Sequence, residues 1–226
     1  MLDITPNTKI IAFDLDDTLY KEEDFVFSGY RAVDAHVKAE YGFDGSFQIM
    51  QQAFRAHHNP FDALTEAIGS PIDIDALIAI YRTHKPDIAL SRTTELTLEN
   101  LAGEDAVLCL ITDGRSITQR NKIEALRLNR FILDENITIS EEIGAEKTDR
   151  RAFDIIANKF PQARQFYYIG DNTAKDFFWP NRMKWTTICI EDDGRNIHKQ
   201  KFDGDRMHNP QVIISNFYEV PYIIFQ

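Results

Sequence analysis

A chain of 226 residues with 43% apolar and 27% charged residues can bury a full core, and it lacks the low hydrophobicity that leaves chains disordered. With 25 Lys and Arg against 36 Asp and Glu the formal charge is −11, so polyanions are repelled at long range and nucleic acid is not an expected partner. The start MLDITPNTKIIAF has no basic stretch before a long apolar run, and no segment approaches about 18 uncharged apolar residues; a cytoplasmic protein without a membrane partner is the expectation.

The first element is KIIAF, Lys9–Phe13, a β-branched apolar run that stops at Asp14, Asp16 and Asp17 and reads as a buried strand offering carboxylates at its C-terminal end. Residues 21–91 contain no convincing strand. Val26, Tyr30, Val33 and Val37 recur at helical spacing, as do Phe47, Met50 and Phe54. Asn59 before Pro60 predicts an N-cap with proline in the first helical position, and a fourth helix is expected to start near Asp73 or Asp75. The aromatic stripes of this segment read as packing surfaces.

From about residue 92, strand-like runs alternate with helical spacing. The runs are Ala106–Ile111, Ile137–Ile139, Phe166–Ile169 and Thr186–Ile190, with Val212–Ile214 as a sixth, edge strand. Alternation of this kind predicts an α/β fold, a doubly wound parallel sheet whose ligands bind beyond the C-terminal strand ends. The expected domains are a core of residues 1–20 and 92–226 and a helical insert of residues 21–91. Cys109 and Cys189 lie inside apolar runs and read as buried thiols rather than a disulfide or zinc site.

Strand alternation would place Asp14 and Asp16 of DLDDT on one side if the strand continued that far, and two adjacent carboxylates call for a cation or a shared proton. Acids after a strand serve as often in plain turns. Other strand ends add to the pattern. ITDG places Thr112 and Asp113 before a glycine turn with exposed N–H groups and a hydroxyl suited to a phosphate oxygen. GDNTAKD sends Asp171 and Asp176 toward the same cleft, after Gly170 permits a tight turn. Lys147 of GAEKTD is expected to open the helix after the third strand, where a cation opposes the macrodipole and needs an anionic partner.

Together, DLDDT, ITDG, the lysine of AEKTD and GDNTAKD resemble the four motifs of the haloacid dehalogenase superfamily, in order and separation, across essentially the whole chain. The helical insert lies where that family carries its cap. The resemblance implies a Mg2+-dependent phosphomonoester hydrolase acting on a small phosphorylated metabolite, with Asp14 as nucleophile and Asp16 as acid and base. It also implies that Asp14, the Asp16 carbonyl and Asp171 hold the metal, that Thr112, Asp113 and Lys147 border the phosphoryl group, and that Asp176 orients Lys147 or a metal-bound water. Two positions depart from the family pattern. Asparagine often replaces Asp113, so Asp113 is expected to point away or to meet a cation such as Arg115. Proline often follows the lysine, where Thr148 here is expected to cap the helix.

Asp16 argues against a true dehalogenase, whose halide leaving group needs no proton. A phosphoryl-transferring mutase shares all four motifs. A receiver domain has no use for a cap of some 70 residues, and a binding module that had lost catalysis would lack Asp14, Asp16 or Asp171. In the insert, Lys21, Arg31, Arg55, His57 and His58 are candidates for leaving-group contact, each more often an ordinary surface residue.

Overall fold

In the computed structural model, which describes residues 4–202 and 204–225, the central strand β1 covers Lys9–Phe13. Its side chains divide between two apolar layers. Ile11 and Phe13 pack with Leu108, Leu110, Ile169 and Ile188, whereas Ile10 and Ala12 pack with Cys109, Ile111, Phe153 and Tyr168 on the other face. Burial on both faces explains why residues 10–13 are uniformly apolar.

Four helices follow: α1 (Glu22–Tyr41), α2 (Ser46–Arg55), α3 (Pro60–Ile68) and α4 (Ile74–Thr83). The chain re-enters the sheet layer with α5 (Arg92–Gly103) and β2 (Ala106–Thr112), then α6 (Ser116–Ala125), β3 (Ile137–Ile139), the short α7 (Ser140–Ile143) and α8 (Arg151–Lys159). It ends with β4 (Gln165–Gly170), α9 (Phe178–Arg182), β5 (Thr186–Ile190), β6 (Val212–Ile214) and α10 (Val220–Ile224). The six strands are parallel in the order β3-β2-β1-β4-β5-β6, with β6 at an edge. Strand order reverses at β1, and Phe13 pairs with both Leu110 and Ile169, so the ends of β1, β2 and β4 open on one edge of the sheet. β2 runs one residue further than its apolar run, making Thr112 its last residue.

Helices α1–α4 enclose a cluster of their own, with Val26, Val33, Val37, Met50, Leu64 and Leu77 buried together. Their starts follow ordinary capping chemistry: the Phe61 N–H donates to Asn59 Oδ1 at 3.0 Å, and the Ala76 N–H to Asp73 Oδ1 at 3.0 Å. Among the described residues no helix is long and apolar enough to cross a membrane. Both cysteines are free and buried.

Leu64 is fully buried in the helical cluster, so Leu64→Ala is expected to cost about 2–5 kcal/mol through lost contacts and a residual cavity. Hydrogen exchange should show faster amides in α1–α4 and unchanged protection in β1, β2 and β4.

Candidate active site

β1 stops at Phe13, and the next residue, Asp14, remains tied to the sheet because its N–H donates to the Ile169 carbonyl at 2.8 Å. Its side chain is buried against Lys147, whose Nζ lies 2.7 Å from Asp14 Oδ1 and 2.6 Å from Asp176 Oδ1. Lys147 is 1% exposed. Burial alone would lower its pKa, but Asp14 and Asp176 outweigh that and raise it well above the usual range. Lys147 does not open a helix: it sits in a turn before α8, which starts at Arg151 with Arg150 as its N-cap. Two buried carboxylates, rather than a helix terminus, account for this lysine. Thr148 does not cap α8; its carbonyl accepts from Trp179 Nε1 at 2.8 Å.

Asp176 is held from several sides. The Asp171 and Asn172 N–H groups donate to its Oδ2 at 3.1 and 2.8 Å, and the Tyr168 hydroxyl donates to Oδ1 at 3.3 Å. The close approach requires Gly170, because a Cβ there would stand 2.5 Å from Asp176 Oδ2. Asp171 instead receives Asn196 Nδ2 on its Oδ2 at 3.0 Å.

Asp14 and Asp16 do not share a strand face, since the chain turns after Phe13 and their carboxylates diverge. Asp16 accepts from Lys122 Nζ at 2.7 Å and the Tyr20 hydroxyl at 2.5 Å on Oδ1, and from Gln119 Nε2 at 3.0 Å on Oδ2. Burial alone would raise its pKa, but Lys122 and these hydrogen bonds hold the carboxyl below its ordinary range. Lys122 also faces Glu22 at 3.8 Å and the Phe25 ring at 4.3 Å. Burial first, then the charge of Asp16, pushes Glu22 up to about 8.

The Thr112 hydroxyl is buried and accepts from Gln119 Nε2 at 2.6 Å. Asp113 does meet a cation, but it is Lys175 at 2.8 Å; Arg115 turns instead to Glu141. The other Asp113 oxygen accepts the Lys147 N–H at 3.0 Å. Asp14, Asp16, Asp113, Asp171 and Lys175 border one cavity of about 180 Å3. Thr112 and Lys147 are buried and do not line it. Of the insert candidates, Lys21 bonds to Asp193 and Asn196, Arg31 and Arg55 lie over Phe47 and Phe27, and none of the five borders this cavity.

Residues that sequence reasoning did not assign include Tyr20, Gln119, Lys122, Lys175 and Asn196. Lys175 stands within GDNTAKD, where a cation beside a run of acids was a readable signal. Gln119, Lys122 and Asn196 reach the site across long separations, with no local pattern to announce them.

Asp14, Asp171 and Asp176 each bring a carboxylate oxygen within 4.8 Å of the others, so this group could hold a metal ion. Asp176 is already occupied by Lys147, the Tyr168 hydroxyl and two N–H groups, which leaves Asp14 and Asp171 as the free donors. Burial, then mutual repulsion with neighbouring carboxylates, pushes Asp171 up to about 9; burial raises Asp14 to about 7 against the pull of Lys147. Two hard oxygen donors under this strain suit a small divalent cation.

A doubly wound parallel sheet with such an acid cluster at its switch point is the arrangement of one class of hydrolase. Residues 11–189 match the haloacid dehalogenase-like hydrolases, and the chain belongs to that family. It is similar to glyceraldehyde 3-phosphate phosphatases of Methanocaldococcus jannaschii, at 29% identity over 80% of this chain and 84% of the relative, and of Methanothermobacter thermautotrophicus, at 28% over 82% and 86%. In fold it resembles a haloacid dehalogenase-type hydrolase of Bacillus subtilis solved with bound magnesium, at TM-score 0.70 and 21% identity, covering 96% of this chain and 99% of that one.

Replacing Lys147 by Met would leave Asp14 and Asp176 buried without their shared cation. The expected loss is about 3–5 kcal/mol, measured by urea denaturation. An unchanged midpoint and slope would show that the three charges do not support the fold.

Proposed function

We propose that the chain is a Mg2+-dependent phosphatase of small phosphorylated metabolites, working through an aspartyl phosphate on Asp14. The observation that carries this is the environment of Asp14. One oxygen is fixed by Lys147, while among the described residues no protein hydrogen bond reaches Oδ2, and the residue borders the cavity. A carboxylate so placed has one oxygen to orient it and one to attack phosphorus.

Attack by Asp14 forms an oxygen–phosphorus bond as the bond to the leaving oxygen breaks, and Asp16, also on the cavity, is the group placed to give that oxygen its proton. Water then cleaves the acyl phosphate and Asp16 takes the proton back. Lys122, Tyr20 and Gln119 favour the ionised carboxylate, the form the second step uses, while the first step needs the protonated form, which the approach of a phosphate dianion favours. Asp14 and Asp171, with the Asp16 carbonyl, are the residues that would hold magnesium, which when bound offsets negative charge around the phosphoryl group. Lys147 pulls Asp14 toward its ionised form and fixes one of its oxygens, and Asp176 positions Lys147.

We assign residues 1–20 and 92–226 to a catalytic core and 21–91 to a cap over it, a division supported by the separate apolar cluster of α1–α4. The named activity of the two relatives favours a short sugar or triose phosphate as substrate. A cytoplasmic setting suits the two free thiols.

Purified protein should release phosphate from glyceraldehyde 3-phosphate or related monoesters only with magnesium, and Asp14→Asn should lower kcat at least about 1000-fold with folding intact. Retention of near-full turnover in that variant, or full activity in EDTA, would remove Asp14 and the metal from the mechanism. Asp16→Asn is expected to lower kcat about 100- to 10,000-fold for alkyl phosphates, whose leaving oxygen needs a proton. Attack on 4-nitrophenyl phosphate should suffer less, leaving the acyl phosphate to accumulate as a trappable species. Equal losses on both substrates, with no trapped phosphate, would count against proton transfer by Asp16.

A further inference from the structure

We propose that Lys175 is a ligand of the substrate's phosphoryl group and that Asp113 is the residue that positions it; the inference rests on the phosphatase reading above.

The cavity poses an electrostatic problem for a phosphate ester. Carboxylates of Asp14, Asp16, Asp17, Glu22, Asp113 and Asp171 border it, and among the described residues the basic side chains on its wall are Lys175 and His198. The lysines nearest the reacting centre are already engaged. Lys147 is buried between Asp14 and Asp176, and Lys122, with its side chain 3% exposed, is held by Asp16. Lys175 differs on each count: its side chain is 30% exposed, it borders the cavity, and among the described residues its one charged partner is Asp113 Oδ2 at 2.8 Å. An ammonium carries three donors. With one on Asp113, two remain for phosphoryl oxygens.

The backbone explains how the side chain comes to be there. The Asn172 carbonyl accepts from the N–H groups of both Lys175 and Asp176, at 3.2 and 3.0 Å, forming a single tight turn. That turn sends Asp176 inward to Lys147 and Lys175 outward to the cavity. Asp113 is fixed in its own place by the Lys147 N–H at 3.0 Å. Its carboxylate, which would otherwise repel a phosphate dianion, becomes the anchor that brings a cation to the cavity wall.

The test compares Lys175→Met, Lys175→Arg and Asp113→Asn with the wild type. It measures kcat and KM for 4-nitrophenyl phosphate at saturating magnesium, and the Kd of inorganic phosphate and of magnesium alone by calorimetry. Loss of a charged hydrogen bond should raise KM and the phosphate Kd of Lys175→Met about 10- to 100-fold. The magnesium Kd should stay within about twofold, Lys175→Arg should recover part of the loss, and Asp113→Asn should fall between. A Lys175→Met protein that hydrolyses and binds phosphate as the wild type does would overturn the site and leave the phosphatase reading standing. Wild-type protein that binds phosphate through Lys175 but hydrolyses no monoester would overturn the phosphatase reading and leave the site, and wild-type protein that does neither would overturn both.

Discussion

The site depends on one buried lysine held between two buried carboxylates. Lys147 joins Asp14, at the end of β1, to Asp176, in the turn after β4, across a region from which water is excluded. Such an arrangement is a poor way to stabilise a fold, because desolvating three charges offsets most of their attraction. It is an effective way to fix position. The two strand ends cannot shift relative to each other without uncovering an unpaired charge, so the nucleophile candidate is held by the sheet and by the ion chain at once.

Around that chain, each cation is matched to a particular carboxylate. Lys122 takes Asp16, Lys175 takes Asp113, and Asn196 serves Asp171 with a neutral amide. A chain of net charge −11 does not reach local balance by composition. Balance comes from directing individual side chains, and burial and repulsion raise Asp171 furthest toward neutrality, to about 9, with Glu22 at about 8 and Asp14 at about 7. Asp14 and Asp171, together with Asp176, form the group that could hold a metal ion.

The sheet was legible in the sequence because its strands are short, apolar on both faces and bounded by acids or glycine; KIIAF and TTICI needed no correction. Helix starts at Asn59 and Asp73 were legible from capping chemistry, which is local. The motif residues were legible as a set, and the structure brings Asp14, Asp113, Asp171, Asp176 and Lys147 together. What escaped were directions and distant partners. Period-two reasoning sent Asp14 and Asp16 the same way, since nothing in DLDDT marks the residue at which the strand stops. Helix reasoning gave Lys147 to a terminus, because its partner carboxylates lie 133 residues before it, in the case of Asp14, and beyond the following helix, in the case of Asp176. Asn196 carries no signal of its own; its role comes only from the loop returning to Asp171.

The three acids after β1 show why direction matters more than presence. Asp17 adopts a left-handed backbone, φ 54°, a conformation that aspartate tolerates better than most residues, within the turn that leads from β1 to α1. Asp14 and Asp16, ahead of that residue, already diverge, Asp14 to Lys147 and Asp16 to Gln119 and Lys122 of α6. Asp17 itself accepts the Glu22 N–H at 2.9 Å and the Ile197 N–H at 2.8 Å. One carboxylate thereby joins the entry to α1 with the loop after β5, the same loop that supplies Asn196 to Asp171 and Arg195 to Glu23 and Asp24. Hydrogen bonds through Asp17 and a single loop thus connect the start of α1 to Asp171. The acidic run is at once part of the candidate centre and the joint between the helical insert and the sheet, and both places require that its neighbouring residues face different ways.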